Sequence, residues 1–222
     1  MFNYCPPKVL PNLESVTLPN GKRHYVTPNG VKLPSVTTVI GAKEKKGILE
    51  WRKRVGEAEA NRISKIASGR GNRVHLMAEQ YLNNEEIQWS KCMPDAVEAF
   101  SQIKPYLDNV NNIHYQEQAL WSETIGMAGR VDLIAEWDGV LSVIDFKTSK
   151  KVKEREDIPN YFAQCVAYSL MYQELVGVPI KQIVVLMSVD EGSPCVYVEK
   201  TRDHINTLVD YIKYYKTTVR EN

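Results

Sequence analysis

No apolar run in these 222 residues approaches the ~18 to 20 that a membrane-spanning helix requires, so a membrane is not an expected partner. Cysteine is sparse. Cys5, Cys92, Cys165 and Cys195 stand far apart, with no CxxC or Cys/His cluster, which argues against structural zinc and against an iron–sulfur cluster. Free thiols in a reducing compartment are the expectation. The opening stretch MFNYCPPKVLPNLESV has neither the charged start and apolar core of a signal peptide nor the Arg-rich amphipathic pattern of a transit peptide, so a cytoplasmic location is expected. An excess of one charge is also missing. At a net +1, any contact with nucleic acid must come from local patches.

What is present is enough apolar material for a sizeable core, at 43% of residues, and a length that suits a single domain over 1–222. Residues 13–27 read as a hairpin turning at Asn20-Gly21. From Leu33 to Leu82 the pattern is mostly helical, with a long segment from Glu57 that Gly69 and Gly71 would bend or divide. A further helix starts at Pro94 and ends or kinks near Pro105. Beyond Asn111 the period shortens to that of strands over 112–121, 129–136 and 140–147. A helix from Asn160 to Val176, strands over 180–189 and 194–200, and a closing helix from Asp203 to Val219 follow. The expected class is α/β: a mixed central sheet flanked by helices, preceded by an N-terminal hairpin and helical region.

Chemistry concentrates in GRVDLIAEWDGVLSVIDFKTSKK, residues 129–151. Asp138-Gly139 is a strong signal for a two-residue hairpin turn. That turn sets Leu133 opposite Ile144 and Val131 opposite Phe146 on an apolar face. On the other face it sets Asp132 opposite Asp145 and Arg130 opposite Lys147. Two carboxylates so placed repel one another unless a proton, a basic side chain or a divalent cation relieves them. Side chains two apart on a strand share a face, so Asp145 and Lys147 enter one space while Phe146 anchors the strand in the core. Two carboxylates and the Phe146 backbone carbonyl suit Mg2+ or Mn2+, and the Lys147 ammonium suits a water or phosphate on which negative charge builds. These are the parts of a metal-assisted phosphodiester hydrolase.

An acidic residue on one strand followed by Asp-x-Lys on the next resembles the PD-(D/E)XK nuclease superfamily, with Asp132 and Asp145-Phe146-Lys147 in the motif positions. Val131 stands where the motif's Pro would be. Gly71 to His75 resembles the G-x-x-x-H segment of the RecB-like branch, Glu117 its acidic residue ahead of the first motif Asp, and Gln164 with Tyr168 its Q-x-x-x-Y helix. PSVTTVI at 34–40, Trp51 with Arg52, and AQCVAY extend the resemblance to the mitochondrial genome maintenance exonuclease family and its viral and bacterial relatives. The resemblance implies a restriction-endonuclease-like core and a Mg2+- or Mn2+-dependent exonuclease acting on single-stranded DNA with free ends, in replication, recombination or repair. It implies catalytic roles for Asp132, Asp145, Lys147, His75, Glu117, Gln164 and Tyr168, with His75 joining the metal shell. Glu79, one turn beyond His75, is a weaker candidate. A bacterial or virus-infected cell fits the absence of a transit sequence.

Positive charge gathers near these residues. Positions 43–73 hold ten basic and four acidic side chains, and 150–155 hold four basic and one acidic. Arg70, Arg73, Arg130, Lys150 and Lys151 are candidate phosphate contacts, Thr148 and Ser149 candidate hydrogen-bond donors, and Trp51 a candidate stacking platform. Two other readings stay open: a catalytically silent nucleic-acid-binding module on the same fold, and a structure-specific endonuclease.

Overall fold

The computed structural model describes residues 1–19 and 21–218. Chain order begins with a small antiparallel sheet of β1 (Glu14–Thr17), β2 (Arg23–Val26) and β3 (Lys32–Pro34). The first two strands are the expected hairpin. Gly21 takes φ +77° in its turn, and Asn20 lies outside the described residues. β3 corrects the helical reading at Leu33. That side chain joins Leu13 and Tyr25 in an apolar cluster against Ala119 and Ala128, and such burial overrides local pattern.

Helix α1 (Val36–Val55) starts at Ser35, whose hydroxyl accepts the Thr38 N–H at 3.0 Å, a cap worth about 1 kcal/mol. Gly56, at φ +87°, ends it and starts α2 (Glu57–Leu82). The break therefore falls at Gly56, and α2 runs unbroken through Gly69 and Gly71, where the sequence suggested a bend. Helix α3 (Pro94–Leu107) has Pro94 in its first turn and stops two residues past Pro105.

The main sheet contains β4 (Val110–Ser122), β5 (Met127–Trp137), β6 (Val140–Ser149), β7 (Gln182–Val189) and β8 (Cys195–Lys200), neighbours in that order. Helix α4 (Pro159–Val176) crosses over between β6 and β7, the one parallel pair among the described strands of the sheet. Gly177, left-handed at φ +86°, stops α4. Helix α5 (Ile205–Thr218) follows β8, and Val219, expected to end it, lies outside the described residues.

Two apolar layers sandwich this sheet. On one face α1, α4 and α5 bring Val36, Phe162, Val166 and Leu208 onto Val131, Ile134, Val143 and Val185. On the other α2 and α3 bring Val74, Met77, Phe100 and Ile103 onto Leu133, Ile144, Phe146 and Leu186. Burying a side chain the size of Phe146 stabilises by about 2 to 3 kcal/mol. Among the described residues no helix is long and apolar enough to cross a membrane.

The β5–β6 turn has φ +50° at Asp138 and +77° at Gly139, the positive pair that a tight hairpin needs. Its register is the expected one from Trp137–Val140 through Leu133–Ile144, where the ladder stops. Asp132 and Asp145, expected as a directly opposed pair, lie one step beyond that stop. The β4–β5 ladder skips the same level: Gln116 pairs with Leu133 and Gln118 with Val131, while Glu117, between them, has φ +47°. Side-chain alternation reverses here. Val131 packs with Ile134 and Val143 under α4, not with Phe146 and Leu133 as the simple alternation required. A left-handed residue rotates the strand and uncouples it from its neighbour at that level.

Candidate active site

The functional candidates gather at this interrupted level. With no ladder partner at its own position, Asp132 turns its carboxylate across the gap, and Oδ2 accepts the Phe146 N–H at 2.9 Å. On α2, His75 is held from the other side of the same residue, its Nε2 lying 2.9 Å from the Phe146 carbonyl oxygen. A carbonyl only accepts, so Nε2 carries a proton, and in the neutral ring the lone pair is then on Nδ1. Nδ1 faces Asp132 Oδ2 at 3.6 Å and Glu117 Oε1 at 4.0 Å. The Phe146 carbonyl, a candidate metal ligand, is thus engaged by His75.

Glu117 reaches the group through its left-handed backbone, a conformation that costs about 1 to 3 kcal/mol in a non-glycine residue and is found where function needs it. Arg130, a candidate phosphate contact, instead donates from Nη1 to the Glu117 carbonyl oxygen and steadies that backbone. Burial, then the neighbouring Asp132 charge, push the Glu117 carboxyl up to about 7. One ligand atom each from His75, Glu117 and Asp132 lie within 4.8 Å of one another. An imidazole lone pair and two mutually repelling carboxylates form a donor set that fits a hard divalent cation such as Mg2+ or Mn2+. Glu79 is outside this group of three.

Asp145 stands beside them with different partners. It is 2% exposed. Lys147 contacts its Oδ2, and the Gln164 side-chain amide donates to its Oδ1 at 2.9 Å. Burial pushes Asp145 above the ordinary carboxylate range, and the Lys147 charge pulls it back only partly. Burial disfavours the charge on Lys147, yet Asp145 and Asp132 outweigh that and hold its pKa above the usual lysine value. Lys147 is therefore an ammonium at neutral pH, suited to stabilising negative charge and not to taking up a proton.

Tyr168 is buried over Gly129, and a Cβ built on that glycine would lie 2.7 Å from the tyrosine hydroxyl. Burial, then the charges of Asp132 and Asp145, push its pKa well up, so it stays a neutral phenol. Sequence reasoning missed Tyr161, whose ring lies 5.1 Å from Lys147 Nζ and whose hydroxyl lies 3.2 Å from Lys153 Nζ. Its signal was available: it precedes Gln164 by three residues and shares a helix face with it.

The basic candidates fare unevenly. Arg70 pairs with Asp190, Arg73 with Asp95 at 2.9 Å, and Lys150 with Glu191 at 3.6 Å. Lys151 is exposed and takes no ion pair among the described residues. Thr148 lies against Gly71, and the Ser149 hydroxyl donates to the Lys151 carbonyl oxygen at 2.7 Å. Trp51 is half-buried on α1.

A five-stranded mixed sheet whose acidic strand is followed by Asp-x-Lys at a broken ladder defines a class of phosphodiester-cleaving folds. Residues 48–216 match the family description of the PD-(D/E)XK nuclease superfamily, and the chain belongs to it. Over 130 residues it is 29% identical to mitochondrial genome maintenance exonuclease 1 of Homo sapiens, a match covering 54% of this chain and 38% of the human protein. The crystal structure of a candidate exonuclease from Eubacterium rectale superposes with a TM-score of 0.48 at 12% identity, covering 70% of this chain and 65% of that one. The chain thus spans less than two thirds of the length of either relative.

Proposed function

We propose that the protein is a divalent-cation-dependent exodeoxyribonuclease that hydrolyses phosphodiester bonds from the free ends of DNA, with single-stranded DNA as its substrate. The observation that carries the reading is the convergence of His75, Glu117 and Asp132 within 4.8 Å beside a buried Lys147–Asp145 pair. Membership of a nuclease superfamily supports the reaction class. The human relative, an exonuclease by name, supports action at ends.

In this reading His75 Nδ1, Glu117 and Asp132 hold the cation, which when bound supplies charge neutralisation and activation of the attacking water. His75 is aimed by the Phe146 carbonyl, the kind of outer contact that fixes the tautomer of a ligating imidazole. Lys147 presents its ammonium to the phosphate oxygens as negative charge develops, and Asp145, oriented by Gln164, keeps that ammonium charged and in place. Tyr161 bounds the position of Lys147 from its other side.

The test is digestion of end-labelled linear DNA and of circular DNA, each single- and double-stranded, with Mg2+, Mn2+ or EDTA. Linear single strands should be degraded with either metal and spared by EDTA, while circles persist. Cutting of single-stranded circles would replace this reading with an endonuclease, and no cutting at all with a binding module.

A further inference from the structure

One ion pair beside the site serves no step of this reaction. Arg70 precedes His75 on α2 by five residues, an axial distance of about 7.5 Å. Its neighbour Gly71 runs against Thr148, so this part of α2 follows the outgoing end of β6, beyond Lys147. Asp190, just past β7, is fixed to the same ridge by its N–H, which donates to the Ser149 carbonyl oxygen at 3.0 Å. The Asp190 carboxylate meets Nη1 of Arg70.

As a structural link the pair is poor. The Arg70 side chain is 13% exposed, yet its Nε is buried with no hydrogen-bond partner, so the guanidinium is largely desolvated and under-satisfied. A guanidinium offers a planar fork of donors that a phosphate can match through two oxygens, and a carboxylate on one terminal nitrogen leaves most of it idle. Asp190 is the more exposed partner at 39%, so it can return to water when displaced. The Arg73 Nε is likewise buried without a hydrogen-bond partner, but its partner Asp95 lies on α3, ties the two helices together and is met by Nη2 at 2.9 and 3.3 Å through both carboxylate oxygens.

We propose that Arg70 binds the backbone phosphate next to the one at Lys147, and that Asp190 is its stand-in anion, exchanged for that phosphate when a DNA strand enters. The inference rests on the nucleic-acid reading of the site, and goes beyond it by naming a second phosphate subsite and its built-in competitor.

The test is a double-mutant cycle on binding alone. Affinity for a fluorescent single-stranded oligonucleotide is measured in EDTA for the wild type, Asp190→Asn, Arg70→Gln and the double variant, with Glu156→Gln, at an exposed carboxylate in no ion pair among the described residues, as a control for the general field. Melting midpoints establish that each is folded, and Arg70→Met, which keeps the buried stem and removes the charge, replaces Arg70→Gln if the latter is not. Asp190→Asn should tighten binding about three- to tenfold, Glu156→Gln clearly less, and the gain should vanish when Arg70 is absent. An equal gain without Arg70 would show a field effect and overturn the inference. So would weaker binding by Asp190→Asn, which would make Asp190 an orienting residue. Wild-type protein that binds DNA and never cuts it removes the nuclease reading alone. A failed cycle in a protein that cuts DNA removes only this inference.

Discussion

The two ends of the β5–β6 hairpin are built from the same strands and obey different rules. At the closed end, from Trp137–Val140 to Leu133–Ile144, the ladder is regular and most side chains are buried on both faces. At the open end the ladder stops, Glu117 on the neighbouring strand turns left-handed, and the polar groups Asp132, Asp145 and Lys147 replace apolar ones. The closed end converts burial into stability. The open end spends backbone pairing to aim carboxylates, and Asp132 then satisfies the orphaned Phe146 N–H with its own side chain. Interrupting a sheet at one level lets a rigid scaffold present a charged cluster without unfolding around it.

Substitutions at the two ends should therefore separate activity from stability. At the open end, Asp145→Asn should lower cleavage by about 10³-fold and lower the melting midpoint less than Asp145→Ala does, since the amide still accepts from Gln164 and leaves a dipole beside the Lys147 charge it no longer neutralises. Asp145→Ala should in addition destabilise by about 3 to 5 kcal/mol, because it strands the buried Lys147 charge. At the closed end, Leu133→Ala should lower unfolding free energy in urea by about 2 to 5 kcal/mol and leave cleavage per folded molecule unchanged. Loss of turnover in folded Leu133→Ala would erase the comparison.

A smaller effect is expected at Gly129. Its Cβ would press the Tyr168 hydroxyl, so Gly129→Ala should destabilise by about 1 to 3 kcal/mol, and adding Tyr168→Phe should recover part of that. Equal stability of Gly129→Ala and wild type would mean that the tyrosine shifts freely.

The smallest effect is electrostatic. The Glu117 carboxyl sits at about 7 in the folded protein, above its ordinary value of 4.5. Folding therefore favours its neutral form: the stabilisation is complete below the ordinary value and is lost as pH rises through about 7. In EDTA, Glu117→Gln should melt higher than wild type at pH 8, by about 2 °C, with the gain shrinking toward pH 4.5. A lower melting point at pH 8 would reverse the sign of the argument.

Much of this was legible in the residues, for reasons particular to each. Asp138-Gly139 set the register because only a tight turn uses two positive φ angles in succession. The shared face of Asp145 and Lys147 followed from strand period, and the helical pattern from Asn160 stopped at Val176, where α4 ends. What pattern could not show were features decided by distant partners. β3 exists because Leu33 meets Ala119 and Ala128. The left-handed Glu117 has no sequence signature, and without it the reversal of side-chain direction at Asp132 was invisible. The bond from Arg130 to the Glu117 carbonyl could not be read, because it depends on a partner across the ladder. Gly129 carried a usable signal, since a glycine inside a strand marks a close approach.

The central claim is that the interrupted level of the sheet is a cation site. Isothermal titration of Mn2+ into the wild type, Asp132→Asn and Glu117→Gln, with no DNA present, tests it most directly. Saturable binding by the wild type, weakened at least about tenfold in both variants while all three remain folded, is the predicted result. Equal Mn2+ affinity in the three proteins would contradict it.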